Sequence, residues 1–153
     1  MNRVVVGRRA VLHTGCALGV SLFVPAARAC EFFTTNLRIV HPWSRATAEG
    51  DSFAVLCMRF DQVARPDRLI GVQTPVAEGA DMGGPLGGPG VDFTIPPGRE
   101  SELSESGTFI RLLGLKHPLE VGRSYPLTLV FERTGAVDAD IDVDYERESH
   151  TPA

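Results

Sequence analysis

The feature that most limits the fold is a two-residue period near the C-terminus. Leu127, Leu129 and Phe131 alternate with Thr128, Val130 and Glu132; past an Arg133-Thr134-Gly135 break, Val137, Ala139, Ile141, Val143 and Tyr145 alternate with four aspartates. Side chains two apart share one face of a strand, so the pattern predicts a β-hairpin with one apolar and one wet face. Thr108 to Leu113 is a third run rich in β-formers, closed by Gly114 and by the Gly122-Arg123-Ser124 turn. Three successive strands of this kind predict an antiparallel sheet that needs a second layer to cover its apolar side.

The rest of the chain repeats the theme. Leu37 to Val40 runs into His41-Pro42-Trp43, Phe53 to Phe60 and Arg68 to Val72 are apolar runs bounded by Asp, Gly and Pro, and Val91 to Ile95 stops at Pro96-Pro97-Gly98. No long stretch has helical periodicity. Short strands at this spacing, in a chain with 11 prolines and 16 glycines, predict an all-β Greek-key β-sandwich of cupredoxin-like or immunoglobulin-like type. The lone Trp43 reads as packing at the core or sandwich edge. The run from Gly83 to Gly90 has no following Lys or helix start and reads as a flexible loop, not a phosphate cradle.

Residues 1–29 read as a signal peptide: Arg3, Arg8 and Arg9, then an apolar run from Ala10 to Val24, then Ala27-Arg28-Ala29, with cleavage before Cys30. Arg8-Arg9 resembles a twin-arginine leader, ordinary unfolded secretion is the alternative, and Arg28 fits a lipid-attachment box poorly. The expected organisation is therefore a leader over 1–29, one β-sandwich domain over 30–145, and a polar disordered tail over 146–153. Four of the 15 basic residues lie in the leader, leaving 11 against 19 acidic ones and a net charge of −8, which suits neither nucleic acid nor anionic lipid. No further run is apolar enough for a membrane span. The exported domain keeps Cys30 and Cys57, and such a pair in an oxidising compartment favours a disulfide, with two copper-ligating thiolates as the sharper alternative.

Three segments, HPWSRAT (41 to 47), DRLIGVQTPVA (67 to 77) and GLKHPLEVGRSYPLTLVFERTG (114 to 135), resemble, in order, the periplasmic copper chaperones written PCu(A)C. That resemblance implies a β-sandwich in the periplasm that binds Cu(I) and passes it to a copper-accepting protein or an oxidase assembly factor. It also implies a ligand set: an early His, a downstream Met, and a His-x-Met pair whose side chains converge from one strand face. The pair falls here on Phe109 and Arg111, which have no lone pair to give. The early His falls on Met82 or Gly83, so Met82 alone survives by type. Arg111 is expected to pair instead with an acidic neighbour such as Asp81.

Other donors are scattered. His41 and His117 each precede a proline and read as turn residues, His150 lies in the tail, and Cys57 and Met58 are neighbours that point to opposite faces. The aspartates at 138, 140, 142 and 144 read as a solvated outer face, there being no loop to complete a calcium cage. Neither Gly-x-Ser-x-Gly nor His-Glu-x-x-His occurs, and the serines at 101, 104 and 106 have no base near them in sequence, so catalysis is not expected. Three readings stay open: a copper-binding or copper-delivering protein, a metal-free β-sandwich that serves as an interaction module in the assembly of an exported complex, and an enzyme whose motif is not recognisable.

Overall fold

A computed structural model describes residues 30–147; residues 1–29, where a leader is expected, and the residues from 148 onward, with His150, lie outside it. Ten strands form: β1 (Glu31–Phe33), β2 (Arg38–Arg45), β3 (Phe53–Asp61), β4 (Asp67–Gln73), β5 (Ala77–Gly83), β6 (Phe93–Ile95), β7 (Ser101–Leu103), β8 (Phe109–Leu115), β9 (Ser124–Phe131) and β10 (Gly135–Tyr145). There is no helix among the described residues. The hydrogen-bonded order is β5-β8-β3-β2-β10-β9-β4-β6, with β1 added to β2 and β7 to β3. This is the expected all-β sandwich, a sheet curled into two layers.

The hairpin forms where the period predicts it: β9 and β10 pair from Gly135 against Phe131 to Asp142 against Ser124. Leu127, Leu129, Phe131, Ala139, Ile141 and Val143 are buried on one face. The third run does not join them. β8 pairs with β3 and β5 in the facing layer, because β3 spans both layers: Phe53 to Leu56 pair with β8, while Met58 to Phe60 pair with β7. The core lies between the layers, with Phe60 at its centre, its ring centroid 5.9 Å from that of Phe131 at 88° and 6.0 Å from that of Phe93. Such tilted aromatic pairs add to the stabilisation that burial alone gives.

Two strands change face part-way, and β10 has a further register shift against β2, between Val143 and Tyr145. In β4 the register shifts between Leu69 and Gly71, so that Leu69 and Val72, three residues apart, are both buried. In β2 it shifts between Val40 and Trp43, around His41 at φ 48°. One extra residue per bulge swaps which side chains face the core.

Asp67, only 4% exposed, opens β4 and ties three segments together. Its carboxylate accepts from the backbone N–H groups of Arg68 (2.8 Å), Arg133 (2.9 Å) and Thr134 (3.1 Å), from the Thr134 hydroxyl (2.5 Å) and from the Asn36 amide (3.4 Å). Burial pushes its pKa up, but the Thr134 hydroxyl and the backbone donors outweigh that and hold it below the ordinary value. Because the folded-state value is depressed, this stabilisation is complete above about pH 4 and is lost as pH falls through the lower folded value. Asp67→Asn is expected to cost about 2 kcal/mol in denaturant unfolding at neutral pH and to flatten the acid limb of stability against pH; an unchanged acid limb would place the acid-sensitive group elsewhere.

Candidate metal centre

Two places in the fold gather chemically capable side chains. The first is the β5/β8 ladder, where Asp81, Met82 and Gly83 stand opposite Arg111, Ile110 and Phe109. Phe109 and Arg111 share one face of β8, the geometry that would let a His-x-Met pair converge. Arg111 instead forks onto Asp81, Nε to Oδ1 at 2.7 Å and a terminal nitrogen to Oδ2 at 2.6 Å, as the sequence suggested. The carboxylate keeps the guanidinium pKa raised. The guanidinium also lies 5.9 Å from the centroid of the Phe53 ring on β3. The Phe109 ring lies so close over Gly83 that a Cβ there would come within 2.3 Å of it.

Met82, the one donor type that survives at this edge, is turned away. It is 2% exposed, faces the core beside Ile110, and so stands on the opposite side of the ladder from Phe109 and Arg111. Its backbone pairs with Gly88, N to O at 3.2 Å and O to N at 3.1 Å, so the Gly/Pro loop folds back on β5. Gly84 makes that fold possible, with φ 82° and the Gly107 carbonyl 2.2 Å from where a Cβ would sit. No set of soft donors converges on this edge among the described residues.

The two cysteines are free thiols, and the expected Cys30–Cys57 disulfide is not made. β2 lies between them: the Cys30 carbonyl accepts from His41 N–H at 2.8 Å on one side of β2, while Cys57 pairs with Trp43 on the other. Two ladder spacings amount to about 9.5 Å, beyond the roughly 7 Å that a disulfide spans between Cα atoms. Burial first, then Glu105 and Glu102, pushes the fully buried Cys57 thiol up to about 12. A hydrogen bond to Asp142, then burial, then the charges of Asp142, Asp140 and Asp144 push Cys30 up to about 11. Neither thiol is poised as a thiolate.

The second place was not anticipated. His41 is not in a turn but within β2, at the bulge, and its Nε2 meets the Asp144 carboxylate of β10. The donor atoms of His41, Asp142 and Asp144 all lie within 4.8 Å of one another. Asp142 also accepts from the Ser124 hydroxyl at 2.6 Å. β10 runs parallel to β2, with Asp142 beside Trp43, and this pairing aligns residues about a hundred positions apart. The preceding residues offer a proline and alternating aspartates but no signal for that register. Trp43 stacks edge-on against Tyr145 at 4.8 Å, the sandwich-edge role expected of it. His117 lies apart, with Nδ1 2.9 Å from the Pro118 carbonyl oxygen.

A family model described as putative lipoprotein LpqE-like matches residues 37–143. Among solved structures, the copper-bound PCuAC domain from PmoF2 is similar at 31% identity and a TM-score of 0.69, over 75% of this chain and 97% of that one. The apo PCuAC domain from PmoF1 is similar at 30% identity and a TM-score of 0.68, over 75% and 98%. The solution structure of CuI-DR1885 from Deinococcus radiodurans, 23% identical with a TM-score of 0.57 over 77% and 81%, is alike in fold. No curated protein matches the chain.

If the Phe109 ring occupies the space over Gly83, Gly83→Ala is expected to cost about 1–2 kcal/mol by overpacking, and close to nothing in a Phe109→Ala background. Equal losses in both backgrounds, measured by urea unfolding, would show that the ring does not fill this edge.

Proposed function

The chain belongs to the LpqE-like family of PCuAC-type domains, and from that premise we propose that it is an exported copper-handling protein of the copper-chaperone type. In this reading residues 1–29 export it, the mature protein starts at Cys30 and works in the periplasm, and it carries copper to an acceptor such as an oxidase assembly factor. Its role is carriage, not catalysis. The observation that carries the reading is its likeness, across three quarters of the chain, to a domain solved with copper bound.

The metal would not sit where the resemblance puts it. On the outer face of β8, Phe109 offers no donor and Arg111 brings a permanent positive charge engaged with Asp81. Met58 and Met82 are each 2% exposed, so neither described thioether is presented to an incoming ion. Apart from the Cys30 thiol, whose pKa is pushed up to about 11, the donors that gather at the surface are nitrogen and oxygen, which suit Cu(II) better than Cu(I). The same closure of β5/β8 favours the second reading, in which the chain keeps the sandwich as a metal-free interaction module for assembling an exported complex.

The two readings separate in a competition titration of the exported protein with Cu(II), and with Cu(I) under reductant, against chelators of known affinity. Copper handling predicts about one equivalent bound, more tightly as Cu(II). Binding no tighter than that of an unrelated protein of similar negative charge would sink it in favour of the interaction module.

A further inference from the structure

We propose that His41, Asp142 and Asp144 form a binding site for a divalent first-row transition ion, in a corner of the sandwich remote in sequence from the β5/β8 edge. The three donor groups come from two strands, and their ligating atoms already lie within 4.8 Å of one another. The geometry has a backbone cause. The register shift in β2 and the left-handed conformation of His41 turn its imidazole out of the normal alternation and toward β10, where a second register shift, between Val143 and Tyr145, accompanies the approach of the Asp144 carboxylate to His41 and Asp142.

Charge points to a cation. Two carboxylates held this close repel each other, and His41 engages one of them, Asp144. The other, Asp142, is met by neutral donors, the Ser124 hydroxyl and the Cys30 thiol. Asp140, further along the same strand, adds to the negative potential that the Cys30 thiol feels. A doubly charged ion between the three groups would relieve that repulsion and gain all three donors at once.

Donor type selects among ions. One imidazole nitrogen and two carboxylate oxygens suit Zn²⁺, Co²⁺ and Cu²⁺. Calcium would want six or more oxygens and no imidazole, and Cu(I) would want thioether or thiolate. All three groups are only partly buried or exposed, so three protein donors would leave positions for water or for a ligand from an acceptor protein, as a transfer site requires. The site deepens the copper reading and rests on it only for the identity of the ion.

The experiment uses Co²⁺ as a spectroscopic probe and Zn²⁺ and Cu²⁺ by calorimetry on the exported protein. His41→Gly is the chosen deletion because glycine accepts φ 48° without strain, so the fold should survive removal of the imidazole. Asp144→Asn is the second variant, and Asp138→Asn, whose carboxylate accepts from Thr128 instead, is the control. One equivalent of Co²⁺ bound by the unmodified protein and by Asp138→Asn, with affinity lowered about tenfold or more in both His41→Gly and Asp144→Asn, is the expected result. Ion binding that is unchanged in these two variants while thermal unfolding shows them folded, or no Co²⁺ or Zn²⁺ binding by the unmodified protein, would overturn the site. The copper reading fails separately: Co²⁺ and Zn²⁺ bound here with Cu²⁺ no tighter than in the unrelated control protein leaves this site standing, and Cu²⁺ bound equally by all variants leaves copper handling standing without it.

Discussion

The backbone of β2 is the constraint on which the rest of the structure depends. A strand inside a sheet must satisfy its N–H and C=O groups on both edges, and β2 does so with β3 along one edge and with β1, then β10, along the other. Pro42 has no N–H to give, so a ladder cannot run through it unbroken. The strand places its register shift there, with His41 in the left-handed region, and the second edge changes partner at the same point, from the antiparallel β1 to the parallel β10. That handover lets the last described strand lie beside an early one and completes the sandwich.

Two chemically different corners follow from this arrangement. At the β5/β8 edge, a ring lies over a glycine and a guanidinium is forked onto a carboxylate. Both features consume space and charge that an ion would need: the ring offers no lone pair, and the arginine already neutralises the Asp81 carboxylate. Beside β2 and β10 the balance is reversed. Carboxylates gather around a single imidazole, and a hydrogen bond to Asp142, burial and the surrounding negative charge together push the neighbouring Cys30 thiol up to about 11.

Asp67 shows how the loops are held while strands carry the ladders. Its two oxygens serve donors from the loop before β2, from β4 itself and from the β9/β10 turn. A single buried carboxylate can do this because a charged acceptor serves several N–H groups, and each bond to it is stronger than a neutral one.

The sequence by itself determined whatever depends on near neighbours. The hairpin of β9 and β10 followed from a period of two in residues 127–145, the all-β class from short runs divided by Pro and Gly, and the Asp81–Arg111 pair from the charge of the residue that stands where a metal donor was expected. Phe109 and Arg111 could be read as sharing a face because i and i+2 always do on a strand. Tertiary structure decided everything that depends on which strands become neighbours. The run at β8 was recognisable as a strand, but only the fold placed it in the opposite layer from β9. Cys30 and Cys57 looked like a disulfide until β2 came between them, and Met82 looked available until its strand turned it to the core. His41 and Asp144 are 103 residues apart, and no local pattern encodes the parallel register that joins them. The physical reason is common to all of these: side-chain alternation is a property of one strand, whereas distance across a sheet is set by pairing and bulges, which a chain reaches only once its whole core has packed.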